Sequence, residues 1–202
     1  MKITPIKAIK YTLGSTLVAG SLFVGISKAQ EQIKDTFEKS QEIPPSGKSE
    51  FLTLLWAPTP KVTIKGVKQT AKIVVDLSKN VLYTYDDRGK PTNAYLIASG
   101  KKSSPTDKGI RVVTHVEKFP YKYAPPTTKR FQRPQDYGPN VICLETIDPI
   151  TGEQGRTGEF IHGNNNPKKL GQYASLGCMR MDNEVIKKLA KEVKRGDIVI
   201  IF

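Results

Sequence analysis

Residues that can do covalent chemistry are scarce in this chain, and two of them share one segment. The sequence contains two cysteines and two histidines, and residues 159–181 hold one of each, His162 and Cys178. A cysteine attacks carbonyl groups as its thiolate, and a nearby histidine is the usual group that accepts the thiol proton. The segment therefore favours a nucleophilic cysteine with a histidine base. The alternative is an inert thiol, because an isolated cysteine beside a glycine is most often a small buried apolar residue.

The residues around this pair form a longer pattern. His162-Gly163 is followed, after a Gly/Asn/Pro-rich stretch, by Ser175-Leu176-Gly177-Cys178 and then by Met179-Arg180-Met181. This pattern resembles the signature of the L,D-transpeptidase (YkuD-like) catalytic domain. The resemblance extends to the segment IVVDLSKNVLYTYDDRGK, to Ser99-Gly100 and to Tyr137-Gly138-Pro139-Asn140, so that it covers residues 71–202.

The resemblance implies a role for each residue of the pattern. Cys178 attacks the carbonyl group of the third residue of a peptidoglycan stem peptide, and a thioester forms as the terminal D-alanine leaves. His162 acts first as base and then as acid, while the carbonyl group of Gly163 holds its imidazole in the useful tautomer. Backbone amides around Gly177 and Cys178 are candidate oxyanion donors. The other candidates for binding or orienting the substrate are Arg180, which suits a carboxylate, Ser175 and Tyr137.

The acceptor of the thioester decides which reaction results. An amine of a neighbouring stem peptide would give a 3→3 cross-link. Water would make the protein an L,D-carboxypeptidase, and an amine on a lipoprotein would make it an anchoring transpeptidase. A rival class is a non-catalytic wall-binding module, which would not need the cysteine–histidine pair.

We expect no cofactor and no metal. A zinc site would have to use the available soft ligands His115, His162, Cys143 and Cys178, and their spacing matches no common zinc motif. We expect Cys143 to be a buried inert thiol and His115 to be a structural or surface residue. The motif requires a free Cys178, so a disulfide between the two cysteines would abolish the nucleophile.

The N-terminal residues predict export. Residues 1–29 combine lysines at the start, an uncharged apolar or small-residue stretch over 11–26, and Ser27-Lys28-Ala29, which suits a signal peptidase. We expect cleavage after Ala29; the alternative is that 11–26 stays as a membrane anchor. Residues 30–70 are interpreted as a linker or extension and 71–202 as the catalytic domain. The protein would then work in the periplasm or cell wall.

The net charge indicates an anionic neighbour. The chain carries 32 basic and 19 acidic residues, a net charge of +13, and removal of residues 1–29 with their four lysines leaves +9. For an exported protein, anionic wall polymers or a membrane surface fit this charge better than nucleic acid. We therefore expect peptidoglycan stem peptides as substrate, no nucleic acid as partner, and a monomer.

Short apolar stretches at about ten-residue spacing predict a mainly β fold. Residues 72–77, 81–85 and 94–98 are interpreted as antiparallel strands, followed by strands at 110–116, 141–145 and 198–202. Residues 184–194 have the apolar periodicity of one amphipathic helix, with Asp182 as its cap. Together with the resemblance, this predicts an L,D-transpeptidase-like β-sandwich of mostly antiparallel strands. Residues 117–140, rich in basic and aromatic side chains, form a long loop that we interpret either as a lid or as a solvated insertion.

Overall fold

The computed structural model describes residues 54–202, except for the side chain of Leu55. The expected signal segment 1–29 and residues 30–53 of the expected linker lie outside the described residues. Within the described part, no helix combines the length and the apolar character needed to cross a bilayer.

The described chain is mainly β, as expected. Its strands are β1 (Lys61–Ile64), β2 (Val67–Thr70), β3 (Ile73–Asp76), β4 (Val81–Tyr85), β5 (Pro91–Leu96), β6 (Ser99–Gly100), β7 (Gly109–Lys118), β8 (Asn140–Ile147), β9 (Gln154–His162), β10 (Tyr173–Ser175), β11 (Met179–Arg180) and β12 (Ile198–Ile201). The helices are α1 (Lys129–Gln132) and α2 (Asn183–Glu192), with 3-10 turns at Leu54–Trp56, Pro134–Tyr137 and Pro167–Lys169.

Eight of these strands form one sheet in the order β11-β9-β8-β7-β12-β3-β4-β5. Neighbouring strands are antiparallel except at two places, where β11 pairs with β9 and β12 pairs with β3 in parallel. Strands β1 and β2 make a separate antiparallel hairpin, and β6 pairs in parallel with β10. The mostly antiparallel arrangement was expected from the sequence, and the last strand, β12, lies inside the sheet between β7 and β3.

Each face of the main sheet carries its own apolar cluster, because side chains alternate between the faces along every strand. One face packs against α2 through buried residues that include Val185, Ile186 and Leu189. Removing such side chains from water contributes about 1.5–3 kcal/mol each. On the opposite face, one cluster centres on β3 and β4, with Ile64 of β1 joining it. A smaller third cluster joins β8 to the segment after β7 through Tyr121, Ala124, Val141 and Cys143.

Helix α2 begins where the sequence predicts. The Asp182 carboxylate accepts hydrogen bonds from the amides of Glu184 and Val185, at 2.8 and 3.2 Å. A cap of this kind contributes about 1 kcal/mol. The helix packs beside the strands that carry the Cys178 and His162 segments, since Met179, Met181 and Ile161 belong to the cluster that it covers.

Candidate active site

Parallel pairing of β11 with β9 places the cysteine segment beside the histidine segment. Arg180 is the pairing partner of His162, and Met179 is the partner of Ile161. Cys178 directly precedes β11, so its backbone lies beside Phe160. Side chains alternate along a strand, and Met179 and Ile161 point into the α2 side of the core. Cys178, Arg180, Phe160 and His162 therefore share the opposite face.

His162 is almost completely buried, at 2% exposure. Its ring packs against that of Tyr137 with centroids 4.7 Å apart. Burial, together with the positive charge of Arg180, lowers the pKa of His162 from 6.5 to about 3. The backbone of Gly163 and of Tyr137 acts in the opposite direction, but no described group is in hydrogen-bond geometry with the buried Nδ1. The imidazole is therefore neutral at physiological pH and able to accept a proton.

Cys178 is half-buried and unpaired. Burial raises the pKa of its thiol, and the Phe160 backbone and the positive charge of Arg180 offset this only in part. Its Sγ lies 3.7 Å from the carbonyl oxygen of Gly158, and within the described chain no hydrogen bond joins Sγ to His162. The resting pair consequently consists of a thiol and a neutral imidazole on adjacent strands.

A tight turn holds the residues before Cys178. The buried hydroxyl of Ser175 donates to the carbonyl oxygen of Cys178 at 2.6 Å and accepts from the amide of Gly177 at 3.1 Å. Gly177 has a φ of +109°, in a region that favours glycine. Its amide is occupied by Ser175, so the turn leaves the amide of Cys178 as the candidate oxyanion donor of the two that the sequence suggested. The hydroxyl of Ser175 therefore holds the turn together.

The loop before β7 braces this turn from the other side. The Thr106 hydroxyl donates to the carbonyl oxygen of Gly177 at 2.7 Å and accepts from the amide of Gly100 at 2.9 Å. A Cβ atom at Gly100 would lie 2.4–2.5 Å from the backbone of residues 104–106, so this approach requires glycine. Thr106 is a site residue that the sequence analysis missed, because a threonine in a polar loop carries no distinctive signal.

Gly163 matters for packing, whereas the hydrogen bond expected from its carbonyl group to the His162 ring is not formed in the described chain. A Cβ atom there would lie 2.4 Å from Oδ1 of Asn183 and 2.9 Å from Cα of Gly138. The same Asn183 oxygen accepts from the amide of Asn164 at 2.9 Å. This close approach ties the end of β9 to the start of α2 and to the Tyr137-Gly138 step, which brings Tyr137 onto His162.

Arg180 lies next to the reacting residues. Its backbone forms a bridge with Ala98, and its Nε is buried without a described hydrogen-bond partner. An unpaired buried donor on a guanidinium suits an incoming acceptor such as a carboxylate. Its charge acts on both reacting groups, because it lowers the pKa of His162 and opposes the rise in the pKa of Cys178.

The loop 117–140 covers the face next to the pair. Besides Tyr137, it supplies Arg130 of α1, whose guanidinium lies 4.9 Å from the centre of the Phe160 ring. Tyr121 donates a hydrogen bond to the carbonyl oxygen of Gly138. The interpretation as a solvated insertion fails for Tyr121 and Arg130, which are buried, although Phe119, Tyr123 and Phe131 are exposed.

A buried ion pair lies beside the same turn. Glu159 accepts from Nε and Nη2 of Arg111 at 3.1 and 2.9 Å and from the amide of Asp107 at 2.7 Å. This pair fixes the loop that carries Thr106. Charged residues are rarely fully buried, so the interior position of Arg111 and Glu159 could not be predicted from residue type.

The second cysteine is free and buried, as expected. Burial raises the pKa of the Cys143 thiol to about 11. Cys143 is the pairing partner of Phe160, which in turn lies beside Cys178. One strand therefore separates the two cysteines, and strands are about 4.8 Å apart. Their Cα atoms are then further apart than the roughly 7 Å that a disulfide allows.

Comparisons with known proteins point to one family. The family model described as the L,D-transpeptidase catalytic domain (YkuD) matches residues 70–201. The protein described as "Putative L,D-transpeptidase YkuD" of Bacillus licheniformis is 29% identical over 131 residues, which are 64% of this chain and 64% of that relative. The match thus spans less than two thirds of the relative's own length.

Two solved structures are similar to part of this chain. The catalytic domain of the E. faecium L,D-transpeptidase is 25% identical, with a TM-score of 0.45, over 66% of this chain and 98% of that one. The Bdellovibrio bacteriovorus protein Bd1075 is 21% identical, with a TM-score of 0.49, over 71% and 51% of the two chains. The assignment rests on the family model, which matches more than half of the chain. This chain belongs to the L,D-transpeptidase catalytic domain family.

Proposed function

We propose that the protein is a peptidoglycan L,D-transpeptidase that forms 3→3 cross-links through a thioester on Cys178. The observation that carries the proposal is the parallel pairing of β11 with β9, which puts Arg180 beside His162 and brings the Cys178 segment next to the same strand. Membership of the family supports the reaction class. His162 is neutral, as a base must be, but the burial that lowers its pKa also weakens it as a base, so the support for this role comes from its place in the motif.

The first half-reaction is acylation. The Cys178 sulfur attacks the carbonyl carbon of the third stem residue as His162 accepts the thiol proton. The developing oxyanion needs a donor, and the free candidate is the amide of Cys178, since the Gly177 amide is held by Ser175. When the tetrahedral intermediate collapses, the bond to D-alanine breaks and His162 returns the proton to the leaving amine.

The second half-reaction releases the enzyme. The side-chain amine of a neighbouring stem peptide attacks the thioester carbonyl, its proton passes to His162, and the thiol of Cys178 is restored. Arg180 is proposed to hold a carboxylate of a stem peptide, because its buried Nε has no described partner. The protein would act outside the cytoplasm, where peptidoglycan lies, in keeping with the export expected from residues 1–29.

Trapping of the thioester tests this proposal. The full-length chain is incubated with tetrapeptide stems or with a carbapenem, and the adduct is located by mass spectrometry. We expect a single adduct on Cys178, and dimeric 3→3 stems as the product. Products that lack D-alanine but are not joined would show that water is the acceptor, and the function would then be that of an L,D-carboxypeptidase.

The two reacting residues are expected to work as a unit. Cys178→Ala and His162→Ala should each remove nearly all turnover, and the double variant should be hardly worse than either single one. Cys143→Ala serves as the matched control and should retain activity. An adduct on Cys143, or full turnover in Cys178→Ala, would show that Cys178 is not the nucleophile.

A further inference from the structure

Three side chains that bind metals lie together on the face of the sheet beyond the active site. His115 and Glu117 alternate along β7 and so share a face, and Cys143 of β8 is the pairing partner of His115. One donor atom from each of the three lies within 4.8 Å of the other two. Two ligands at positions i and i+2 of one strand, with a third on the adjacent strand, form a rigid platform because the backbone hydrogen bonds fix their spacing.

The carboxylate of Glu117 is the second observation that points to a ligand. Its side chain is 2% exposed, and neither oxygen has a hydrogen-bond partner within the described chain. Oε1 lies 3.3 Å from Nε2 of His115, and Oε2 lies 3.4 Å from Nε of Arg130 outside hydrogen-bond geometry. The guanidinium of Arg130 balances the charge of Glu117, but both buried oxygens lack a hydrogen bond and so remain able to bind a further ligand.

The tautomer of His115 follows from its neighbour. The Thr114 hydroxyl donates to the carbonyl oxygen of Cys143 at 3.2 Å, so its oxygen can accept from Nδ1 of His115, which lies 3.1 Å away. Nδ1 then carries the proton, and the lone pair of Nε2 faces the Glu117 carboxylate. Two acceptors at this distance require a cation or a proton between them. A ligand histidine held through its other nitrogen is the usual arrangement in metal sites.

The cluster also has an entry path. The His115 side chain is 46% exposed. It lines a surface depression of about 570 Å³ together with Thr114, Tyr123 and Glu145. Three protein ligands and one side open to solvent are the arrangement of zinc sites that keep a free coordination position.

We propose that His115, Glu117 and Cys143 bind a divalent ion of the zinc class, with the fourth position open to this depression. On binding, the Cys143 thiol releases its proton to solvent, and the thiolate sulfur bonds to the metal without any change of oxidation state. The site leaves Cys178 and His162 free, unlike the four-ligand set considered from the sequence, and it does not depend on the proposed reaction.

Arg130 competes for the same ligands. Its Nη1 lies 3.1 Å from Sγ of Cys143 and its Nε faces Glu117, so it supplies the positive charge when no metal is bound. A metal ion must weaken both contacts. Because Arg130 also packs on Phe160, metal binding would loosen the 117–140 loop on the side nearest the reacting pair.

Cobalt titration of the full-length chain tests the site, because a cobalt–thiolate bond gives an absorption band that other ligands do not. We expect one equivalent of Co²⁺ to bind and zinc to displace it. His115→Gln should weaken binding more than about tenfold. Arg130→Gln should strengthen it. His115 is half-exposed, so its variant is expected to fold, and circular dichroism checks this.

The choice of thiol is tested with matched variants. The band should survive in Cys178→Ser and vanish in Cys143→Ser. A band that persists in Cys143→Ser, no band in the unmodified chain, or equal affinity in His115→Gln would each overturn the site. If Arg130→Gln bound Co²⁺ with the same affinity as the unmodified chain, Arg130 would not compete with the metal. As a second measurement, zinc should raise the melting temperature of the unmodified chain but not that of His115→Gln.

Discussion

Burial decides the protonation state of the two reacting residues. It disfavours the charged form of each, so it lowers the pKa of His162 and raises that of Cys178. Many cysteine enzymes rest as a thiolate–imidazolium pair, but here both groups are neutral. The proton must therefore move from sulfur to nitrogen during the attack, and a substrate that brings its own charge near Arg180 can change this balance.

The first prediction concerns the reactivity of the thiol. The rate of Cys178 alkylation by iodoacetamide should still rise above the ordinary thiol pKa of about 8.5, because its raised pKa keeps the thiolate scarce at neutral pH. The rate is measured by mass spectrometry in Cys143→Ser, so that only one thiol is present. A rate that levels off near neutral pH would show a preformed thiolate and contradict the neutral pair.

A second prediction at this scale concerns Tyr137. Its ring packs on the imidazole at 4.7 Å, so the ring rather than the hydroxyl holds His162 in place. Tyr137→Phe should keep the acylation rate with a carbapenem, whereas Tyr137→Ala should lower it by about tenfold or more, since small misplacements of catalytic groups are costly. Equal losses in both variants would instead assign the role to the hydroxyl.

At the scale of elements, the sequence predicted the locally patterned parts of the fold. The hairpin of β3 and β4, the strands β7, β8 and β12, and α2 were expected within a few residues of their observed bounds. Each has a regular apolar period or a clear capping residue. Strand β9 has a clear apolar signal only at Phe160 and Ile161, because residues 154–158 are polar or glycine. Its pairing with β11 depends on contacts between distant segments, which periodicity does not reveal.

In the candidate active site, too, local patterns could be predicted from the sequence and contacts between distant segments could not. The pattern of residue types at fixed spacing suggested Cys178 and His162, and the structure places their segments side by side. Arg130, Glu159 and Thr106 could not be predicted, since their importance comes from burial by segments far away in the sequence. Lys65-Gly66 forms the turn of the β1–β2 hairpin, with φ values of 52° and 76°. A glycine at such a turn is a local sequence signal, but these residues were interpreted as part of a linker.

The brace between two loops gives a prediction about Thr106. Thr106→Val keeps the size of the side chain but leaves the carbonyl of Gly177 and the amide of Gly100 without their partner. Unfolding in urea should show a loss of about 1–3 kcal/mol, and the acylation rate should fall as the turn before Cys178 loosens. Thr127→Val, at an exposed position, is the control. Equal stability of the two variants would show that the brace is unimportant.

At the scale of the whole molecule, the buried histidine links stability to pH. The folded chain keeps His162 neutral down to about pH 3, whereas the unfolded chain takes up a proton below about pH 6.5. The unfolded state therefore binds more protons in this window, and the free energy of unfolding falls with falling pH, by at most about 1.4 kcal/mol per pH unit.

This linkage is tested by urea unfolding at about pH 7.5 and about pH 5. Carboxylates also change the free energy of unfolding with pH, and they do so in the unmodified chain and in its variants alike. The test therefore compares the loss of stability in the unmodified chain with the loss in His162→Gln. The variant should lose less stability between the two pH values. Thr127→Val, an exposed substitution that changes no titratable group, should behave as the unmodified chain does. The same loss in all three proteins would show that His162 is not the linked group.

The position of β12 has a consequence for how the protein is made. This strand lies between β7 and β3 in the middle of the sheet, yet it follows every other strand in the sequence. Until Ile198–Ile201 has been synthesised, β7 and β3 lack a neighbour on that side. A chain emerging from the ribosome therefore cannot close its sheet early. Export, which belongs to the proposed function, would then act on a chain whose sheet is still open, and the sheet would close only after translocation.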